Sequence, residues 1–162
     1  MGKIFNQKEL SAFCRQAKKE KKVIVFTNGV FDLLHRGHIE YLTEAKKIGD
    51  LLIVGLNSDR SVRRIKGDKK PLQPEADRAY ILSGFVCVDA VCLFDEDTPQ
   101  KLIDLVLPDV LVKGGDYQSD EIVGRETVEN HGGKVVTIPF TEGKSTTRLI
   151  ELILERFCEK KI

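Results

Sequence analysis

Five short apolar runs alternate along the chain with segments in which apolar residues have helical spacing. The runs lie at residues 23–26, 51–56, 89–94, 110–113 and 134–139. Most of them lack the polar alternation of a half-exposed strand, which is typical of strands covered on both faces. We therefore predict an α/β fold: a Rossmann-like three-layer sandwich with a five-stranded parallel sheet in the strand order 3-2-1-4-5.

Polar residues and glycines mark where the helices begin and end. Asn6 followed by Glu9 predicts a capping box at the start of a helix that runs to about residue 20. Gly49 ends a helix whose apolar residues recur from Ile39 to Ile48. Further helices are expected at residues 57–65, 75–84, 97–108, 120–131 and from 145 onward.

The length and charge of the chain limit the classes of protein to which it can belong. A chain of 162 residues fits a single domain, which we assign to residues 1–162. Charged residues make up 31% but nearly cancel to +1, so the composition indicates neither nucleic acid nor an anionic membrane as a partner. The four cysteines have no close paired spacing and there is no long apolar run, which favours reduced thiols in the cytoplasm.

Two of the three histidines lie at the junction between the first predicted strand and its helix. His35 and His38 are three residues apart, so they project from one face of a first helical turn. Gly37 between them leaves room for a ligand to approach the backbone. Because a helix start offers free N–H groups and the positive end of the dipole, we predict a phosphate site here. The alternative is that the histidines are packing or capping residues.

A basic loop follows the second predicted strand. Lys66, Lys69 and Lys70 lie in a stretch with two prolines and a glycine. One of them is a candidate to hold an anionic substrate beside the histidines, and the alternative is a solvated surface. Arg78 falls in the first turn of the next helix, where a cation opposes the helix dipole, so an anionic partner is expected for it.

Two later segments also have features of anion-binding sites. Gly114 and Gly115 end the fourth predicted strand and would let a ligand approach the main chain, although a plain glycine turn is the alternative. Residues 145–147 open the last helix with hydroxyls and free amides, where the alternative is an ordinary helix cap. In the predicted strand order, both segments and the histidines lie at the carboxyl ends of the strands where the strand order reverses. No Gly-x-Gly-x-x-Gly stretch is present, which argues against a dinucleotide oxidoreductase.

The residues Gly29-Val-Phe-Asp32 and His35-Arg-Gly-His38 resemble the Gly-Thr-Phe-Asp and His-x-Gly-His signature of the cytidylyltransferase-like nucleotidyltransferases. Residues 142–147 are similar to the Glu-Gly-x-Ser-Thr-Thr element of that family. The resemblance implies that the histidines bind the phosphates of the nucleotide and stabilise the transition state. It implies that the hydroxyl-rich element holds those phosphates from the opposite side, and that Mg²⁺ is carried by the phosphates with no metal ligand from the protein.

From this resemblance we predict three groups of site residues. The catalytic residues are His35, His38 and Lys66, and the acceptor phosphate is contacted by Lys66, Lys69 and Arg78. The nucleotide-binding residues are Val30, Phe31, His35, Gly37, His38, Lys113, Gly114, Gly115, Asp116, Tyr117, Thr141, Glu142, Gly143, Ser145, Thr146 and Thr147. Val30 stands where threonine is commoner in the family, which removes one hydroxyl contact.

Within this family, nearly the whole chain is similar to the heptose 1-phosphate adenylyltransferases of lipopolysaccharide synthesis. Residues 56–62, 66–67, 95–99, 108–117 and 122–124 carry this closer similarity. It implies in-line attack of a sugar 1-phosphate, expected to be D-glycero-D-manno-heptose 1-phosphate, on the α-phosphorus of ATP. The expected products are ADP-heptose and pyrophosphate. The resemblance also implies a homodimer, and a separate kinase that supplies the sugar phosphate.

Two other functions are compatible with the same residues. A cytidylyltransferase that acts on glycerol 3-phosphate or a phospho-alcohol shares both signature elements. A nucleotide-binding regulatory module without activity is the alternative from a different class. The presence of both histidines and of the Ser-Thr-Thr element argues against the regulatory module.

Overall fold

The chain forms one six-stranded parallel sheet, seen in a computed structural model that describes residues 1–115, 122–139 and 143–158. The strands lie in the order β1-β4-β3-β2-β5-β6, and every neighbouring pair is parallel. Their bounds are Lys3–Phe5 (β1), Ile24–Gly29 (β2), Leu51–Asn57 (β3), Ala90–Phe94 (β4), Val110–Gly114 (β5) and Lys134–Ile138 (β6).

Seven helices lie in the described parts of the chain, six between strands and α7 after the last strand. They are Gln7–Lys19 (α1), Arg36–Lys46 (α2), Asp59–Lys66 (α3), Glu75–Ser83 (α4), Gln100–Val106 (α5), Arg125–Asn130 (α6) and Thr146–Phe157 (α7). The capping box predicted at the start of α1 is confirmed. The Glu9 N–H donates to the Asn6 side chain and the Asn6 N–H donates to the Glu9 carboxylate, both at 2.9 Å.

The prediction of five strands was wrong, because the sequence pattern missed β1. This strand has only three residues and is mostly exposed, so it carries no periodic signal. It is held by backbone pairing along β4 and by the Gly2 N–H, which donates to the Ser83 carbonyl at 2.7 Å. The five runs read from the sequence occupy the positions β4-β3-β2-β5-β6, and β1 extends the sheet beyond β4.

Both faces of the sheet are covered, which explains the apolar runs without polar alternation. Ile24 and Phe26 of β2 enter a buried cluster with residues of α1, α5 and α6, whereas Val25 enters a second cluster with residues of α2 and α4. Full burial of such a side chain stabilises the fold by about 1.5–3 kcal/mol. The arrangement is a three-layer sandwich of the Rossmann-like type.

The strand order reverses between β2 and β5, because β2 has β3 on one side and β5 on the other. In parallel sheets, ligands bind at the carboxyl ends of the strands at such a reversal. The junction of β2 and α2, where His35 caps the helix and His38 lies in its first turn, is at this point. Within the described residues, no helix is both long and apolar enough to span a membrane.

Candidate functional site

The two histidines stack on each other at the start of α2. Their ring centroids are 3.9 Å apart, and the His38 ring also lies 5.4 Å from the ring of Phe31. His35 is the N-cap residue of α2. Its backbone N–H donates to Nδ1 of His38 at 3.3 Å, and its carbonyl accepts from the His38 N–H at 2.9 Å. These contacts fix the orientation of the His38 ring.

Burial disfavours the charged form of both imidazoles. It lowers the pKa of His38 to about 4, with a smaller effect from His35. Burial also lowers the pKa of His35, with a smaller effect from the Lys144 ammonium. Because Nδ1 of the neutral His38 ring accepts a hydrogen bond, its proton is on Nε2. His38 can therefore offer an N–H donor without carrying a charge.

A hydrogen bond joins the start of α7 to the histidine turn. The Thr146 hydroxyl donates to the Leu33 carbonyl at 2.9 Å, across 113 residues of sequence. Ser145 is the N-cap of α7, and its Oγ accepts from the Arg148 N–H at 3.1 Å. Gly37 eases this approach, because a Cβ at that position would lie 3.1 Å from Nδ1 of His35 and 3.3 Å from the Cβ of Lys144, both tight contacts.

The histidines and the start of α7 line one cleft, with a volume of about 930 Å³. This is within the range of about 300–1,000 Å³ that is usual for small-molecule sites. The predicted residues that line it are His35, Gly37, His38, Lys66, Gly143, Ser145, Thr146 and Thr147. The structure thus brings the two signature elements together with one of the predicted lysines.

Comparison with known families agrees with this geometry. A family model described as cytidylyltransferase-like matches residues 26–152, which is most of the chain. The chain belongs to the cytidylyltransferase-like family of nucleotidyltransferases.

Curated relatives of this cytidylyltransferase-like chain are named bifunctional protein HldE. The protein from Trichlorobacter lovleyi is 51% identical over 98% of this chain, and the one from Geotalea uraniireducens is 56% identical over 93%. The chain spans only 32% and 31% of the length of these two relatives.

Two solved structures share the fold. A lipopolysaccharide core biosynthesis protein from Thermoplasma volcanium has a TM-score of 0.62 and 33% identity, over 76% of this chain and 99% of that one. A pantoate-beta-alanine ligase from Francisella tularensis also has a TM-score of 0.62, over 88% of this chain and 68% of that one. The ligase is only 18% identical, so it supports the fold alone.

Arg78 lies in the core of the cytidylyltransferase-like fold rather than in the cleft, which corrects its predicted contact with the acceptor phosphate. Its side chain is fully buried. It donates to the carbonyls of Gln73 (3.0 Å), Val30 (2.6 Å) and Asn57 (2.9 Å), and to the Asp59 carboxylate at 2.7 Å. The anionic partner expected from the helix dipole is therefore a residue of the same chain.

Other predicted residues lie near the cleft but outside its described lining. Val30 accepts from Arg78, and Phe31 packs on His38. Lys69 is exposed on its loop.

Lys113 is half-buried at the carboxyl end of β5, where its ammonium donates to the side chain of Asn28 and burial lowers its pKa to about 8. Gly114 ends β5, and the N–H of Gly115 donates to the Ile138 carbonyl at 2.9 Å. Asp116, Tyr117, Thr141 and Glu142 lie outside the described residues.

Four residues that line the cleft were missed by the sequence reasoning: Tyr41, Lys144, Arg148 and Glu151. Lys144 sits inside the recognised Ser-Thr-Thr segment, so its position was a usable signal. Tyr41 follows His38 by three residues and therefore shares its side of α2. The Tyr41 hydroxyl lies 2.6 Å from Oγ1 of Thr27 and donates to the Val112 carbonyl at 3.2 Å, which ties α2 to two strands.

The stability of the unliganded protein is expected to fall as the pH drops from about 6.5 to about 4. In this window the unfolded chain binds a proton at His38 that the folded chain does not take up. Above the window both states leave the ring neutral, so this contribution is constant. Thermal unfolding of the wild type and of His38→Gln across the window measures it. The variant should lose less stability on acidification, and an equal loss would contradict the lowered pKa of the half-buried His38 ring.

Proposed function

We propose that this chain transfers AMP from ATP to a sugar 1-phosphate, D-glycero-D-manno-heptose 1-phosphate, and releases ADP-heptose and pyrophosphate. The observation that supports the proposal is the hydrogen bond from Thr146 to the Leu33 carbonyl, because it joins the start of α7 to the histidine turn at a cleft that both elements line. The similarity to the lipopolysaccharide core biosynthesis protein from Thermoplasma volcanium favours a sugar phosphate as the acceptor.

In the proposed reaction, an oxygen of the sugar phosphate attacks the α-phosphorus of ATP in line with the leaving group. A bond forms between that oxygen and the α-phosphorus, and the bond from the α-phosphorus to the bridging oxygen of the β-phosphate breaks. Pyrophosphate leaves with the bonding electrons. No protein atom forms a covalent bond, so the chain contributes through positioning and charge stabilisation.

The described residues of the cleft suit these two tasks. The Nε2–H group of His38 is a preorganised donor for an α-phosphate oxygen on which negative charge develops. The hydroxyls and amides at the start of α7 are donors for the β- and γ-phosphates. Lys66 and Lys144 add positive charge from two different segments, and neither makes an ion pair with a described residue.

Mg²⁺ is proposed to enter on the phosphates of ATP. Glu151 is the sole carboxylate among the described residues that line the cleft, and these parts of the chain contain no cluster of three or more metal-ligating side chains. Mg²⁺ commonly keeps several waters and binds substrate phosphates with few protein ligands. Bound in this way, the ion would neutralise part of the phosphate charge while the residues of the chain hold the oxygens.

Product analysis tests the proposal. The purified chain is incubated with Mg²⁺, heptose 1-phosphate and either ATP or CTP, and the products are identified by mass spectrometry together with pyrophosphate release. We expect ADP-heptose and an equal amount of pyrophosphate with ATP, and far less product with CTP. Product formed with CTP but not with ATP, or with glycerol 3-phosphate in place of the sugar phosphate, would favour the cytidylyltransferase.

The family resemblance also leads us to propose a homodimer, which sedimentation analysis would test.

Replacing Lys66 with methionine is expected to raise the KM for the sugar phosphate about 10- to 100-fold, because one charge-assisted hydrogen bond to phosphate is lost. The KM for ATP should change much less. Steady-state kinetics with each substrate varied in turn measures both constants. Lys8→Met, which removes an exposed lysine from α1, is the matched control and should behave as the wild type. An unchanged KM for the sugar phosphate in Lys66→Met would contradict the role of Lys66.

A further inference from the structure

The carboxylate of Asp32 holds a loop that begins at the cleft. Its Oδ1 accepts from the N–H groups of Leu72 (2.8 Å) and Gln73 (3.0 Å), and its Oδ2 lies 3.3 Å from the Lys70 ammonium. Asp32 is only 5% exposed, so water competes little for these contacts. We call residues 67–73 the lysine loop; Lys66 of α3 precedes it and lines the cleft.

The same short turn also supports the catalytic histidine. Phe31 has a φ of +46°, a left-handed conformation that side chains rarely adopt. Its ring packs on His38, while the next residue, Asp32, bonds the lysine loop. Arg78 adds a second link between the two segments, since it donates to the carbonyls of both Val30 and Gln73. The relative position of the histidine and the loop is thus set at one place in the chain.

We propose that Asp32 is a positioning residue for the acceptor phosphate, which it serves by fixing the lysine loop against the histidine turn. The inference rests on the proposed function, because it concerns the second substrate of that reaction. Asp32 itself does not touch the substrate. It holds the backbone at Leu72 and Gln73, so that Lys66, which precedes the lysine loop and lines the cleft, meets the phosphate without the loop first being ordered.

The start of the loop explains why such a clamp matters. Gly67 has a φ of +87°, and a Cβ built there would meet no atom within 4 Å, so neighbouring side chains do not confine this end. Without the carboxylate, the loop would have to be ordered each time the acceptor binds. The free-energy cost of ordering the loop reduces the affinity for the acceptor. The affinity for ATP falls less, because the proposed nucleotide-binding elements lie on α2 and α7.

Asp89 provides a matched control at the opposite edge of the sheet. Its carboxylate accepts from the N–H of Leu52 at 2.7 Å and pairs with the Lys46 ammonium at 2.6 Å. These are the same kinds of contact that Asp32 makes. Asp89 precedes β4 and Leu52 lies near the start of β3, whereas the cleft is at the carboxyl ends of the strands. Asp89→Ala therefore removes a similar clamp far from the substrates.

The experiment compares the KM for heptose 1-phosphate, the KM for ATP, kcat and the melting temperature in four variants. Asp32→Ala should raise the KM for the sugar phosphate about 10- to 100-fold and the KM for ATP much less. Asp32→Asn keeps an oxygen that accepts both N–H groups, so it should stay within about threefold of the wild type. Asp32→Glu keeps the charge but moves it by one methylene, and should raise the KM for the sugar phosphate. Asp89→Ala should lower the melting temperature without changing that KM.

Three results would overturn the proposal. They are an unchanged KM for the sugar phosphate in Asp32→Ala, an equal rise in Asp89→Ala, and, if Asp32→Ala does not fold, a wild-type KM in Asp32→Glu. A wild-type protein that forms no ADP-sugar would instead remove the proposed function itself. Activity in the wild type with no selective effect at Asp32 would remove this inference alone.

Discussion

Replacing His38 with alanine is expected to lower kcat about 10²- to 10³-fold, the usual loss when one donor to a developing charge is removed. The neutral ring offers an Nε2–H group held in place by the backbone N–H of His35, and alanine offers no donor. The hydroxyls at the start of α7 remain, so the KM for ATP should change less than kcat. The rate of pyrophosphate release under saturating substrates measures the effect.

His131→Ala is the matched control for that experiment. His131 is exposed just after α6, and its Nδ1 lies 2.7 Å from the Thr127 carbonyl, away from the cleft. It should keep wild-type turnover. Melting temperatures of both variants show whether the fold is intact. Wild-type turnover in a folded His38→Ala protein would contradict the catalytic role of the histidine.

Replacing Arg78 with methionine is expected to destabilise the fold by about 3–5 kcal/mol, because its fully buried guanidinium donates to three carbonyls and to a partly exposed carboxylate. The change leaves the carbonyls of Val30, Asn57 and Gln73 without this donor, and leaves the Asp59 carboxylate without its cation. A domain typically has about 5–15 kcal/mol of stability, so this is a large share of it. The free energy of unfolding in urea measures the loss.

Arg60→Met separates this effect from the loss of any arginine. Arg60 lies on the neighbouring helix α3, its side chain is 75% exposed, and it pairs with Asp95 at the surface. Exposed ion pairs contribute little, so this variant should unfold close to the wild type. If Arg78→Met unfolded at the same urea concentration as Arg60→Met, the buried network would not have the importance assigned to it.

The misplacement of Arg78 shows where local sequence reasoning stops. Its position in the first turn of α4 was predicted, and so was the need for an anionic partner. The identity of that partner could not be predicted, because Asp59 is 19 residues away and is brought to Arg78 by the packing of α3 against α4 in the folded chain. A buried structural network and a substrate contact leave the same local pattern in a sequence.

The strands were predictable to the extent that each one was covered on both faces. β2 and β3 contribute to two buried clusters, so their apolar runs were long enough to recognise. β1 has no such pattern, since its three residues are held mainly by backbone pairing with β4. The predicted strand order, and no single motif, indicated that His35, His38 and Ser145 line one cleft. Glu151 and Arg148 were missed because they line the cleft only through the placement of α7.

The most direct test of the central claim is a titration of the isotope-labelled protein with α,β-methylene-ATP, followed by NMR. The His38 ring lies near the amino end of the chain, and the amides of Thr146 and Thr147 lie near the other. If one nucleotide spans the cleft, the resonances of all three should shift along the same binding curve. Threonine amides that shift while the histidine ring does not, or that follow a different midpoint, would contradict the shared site.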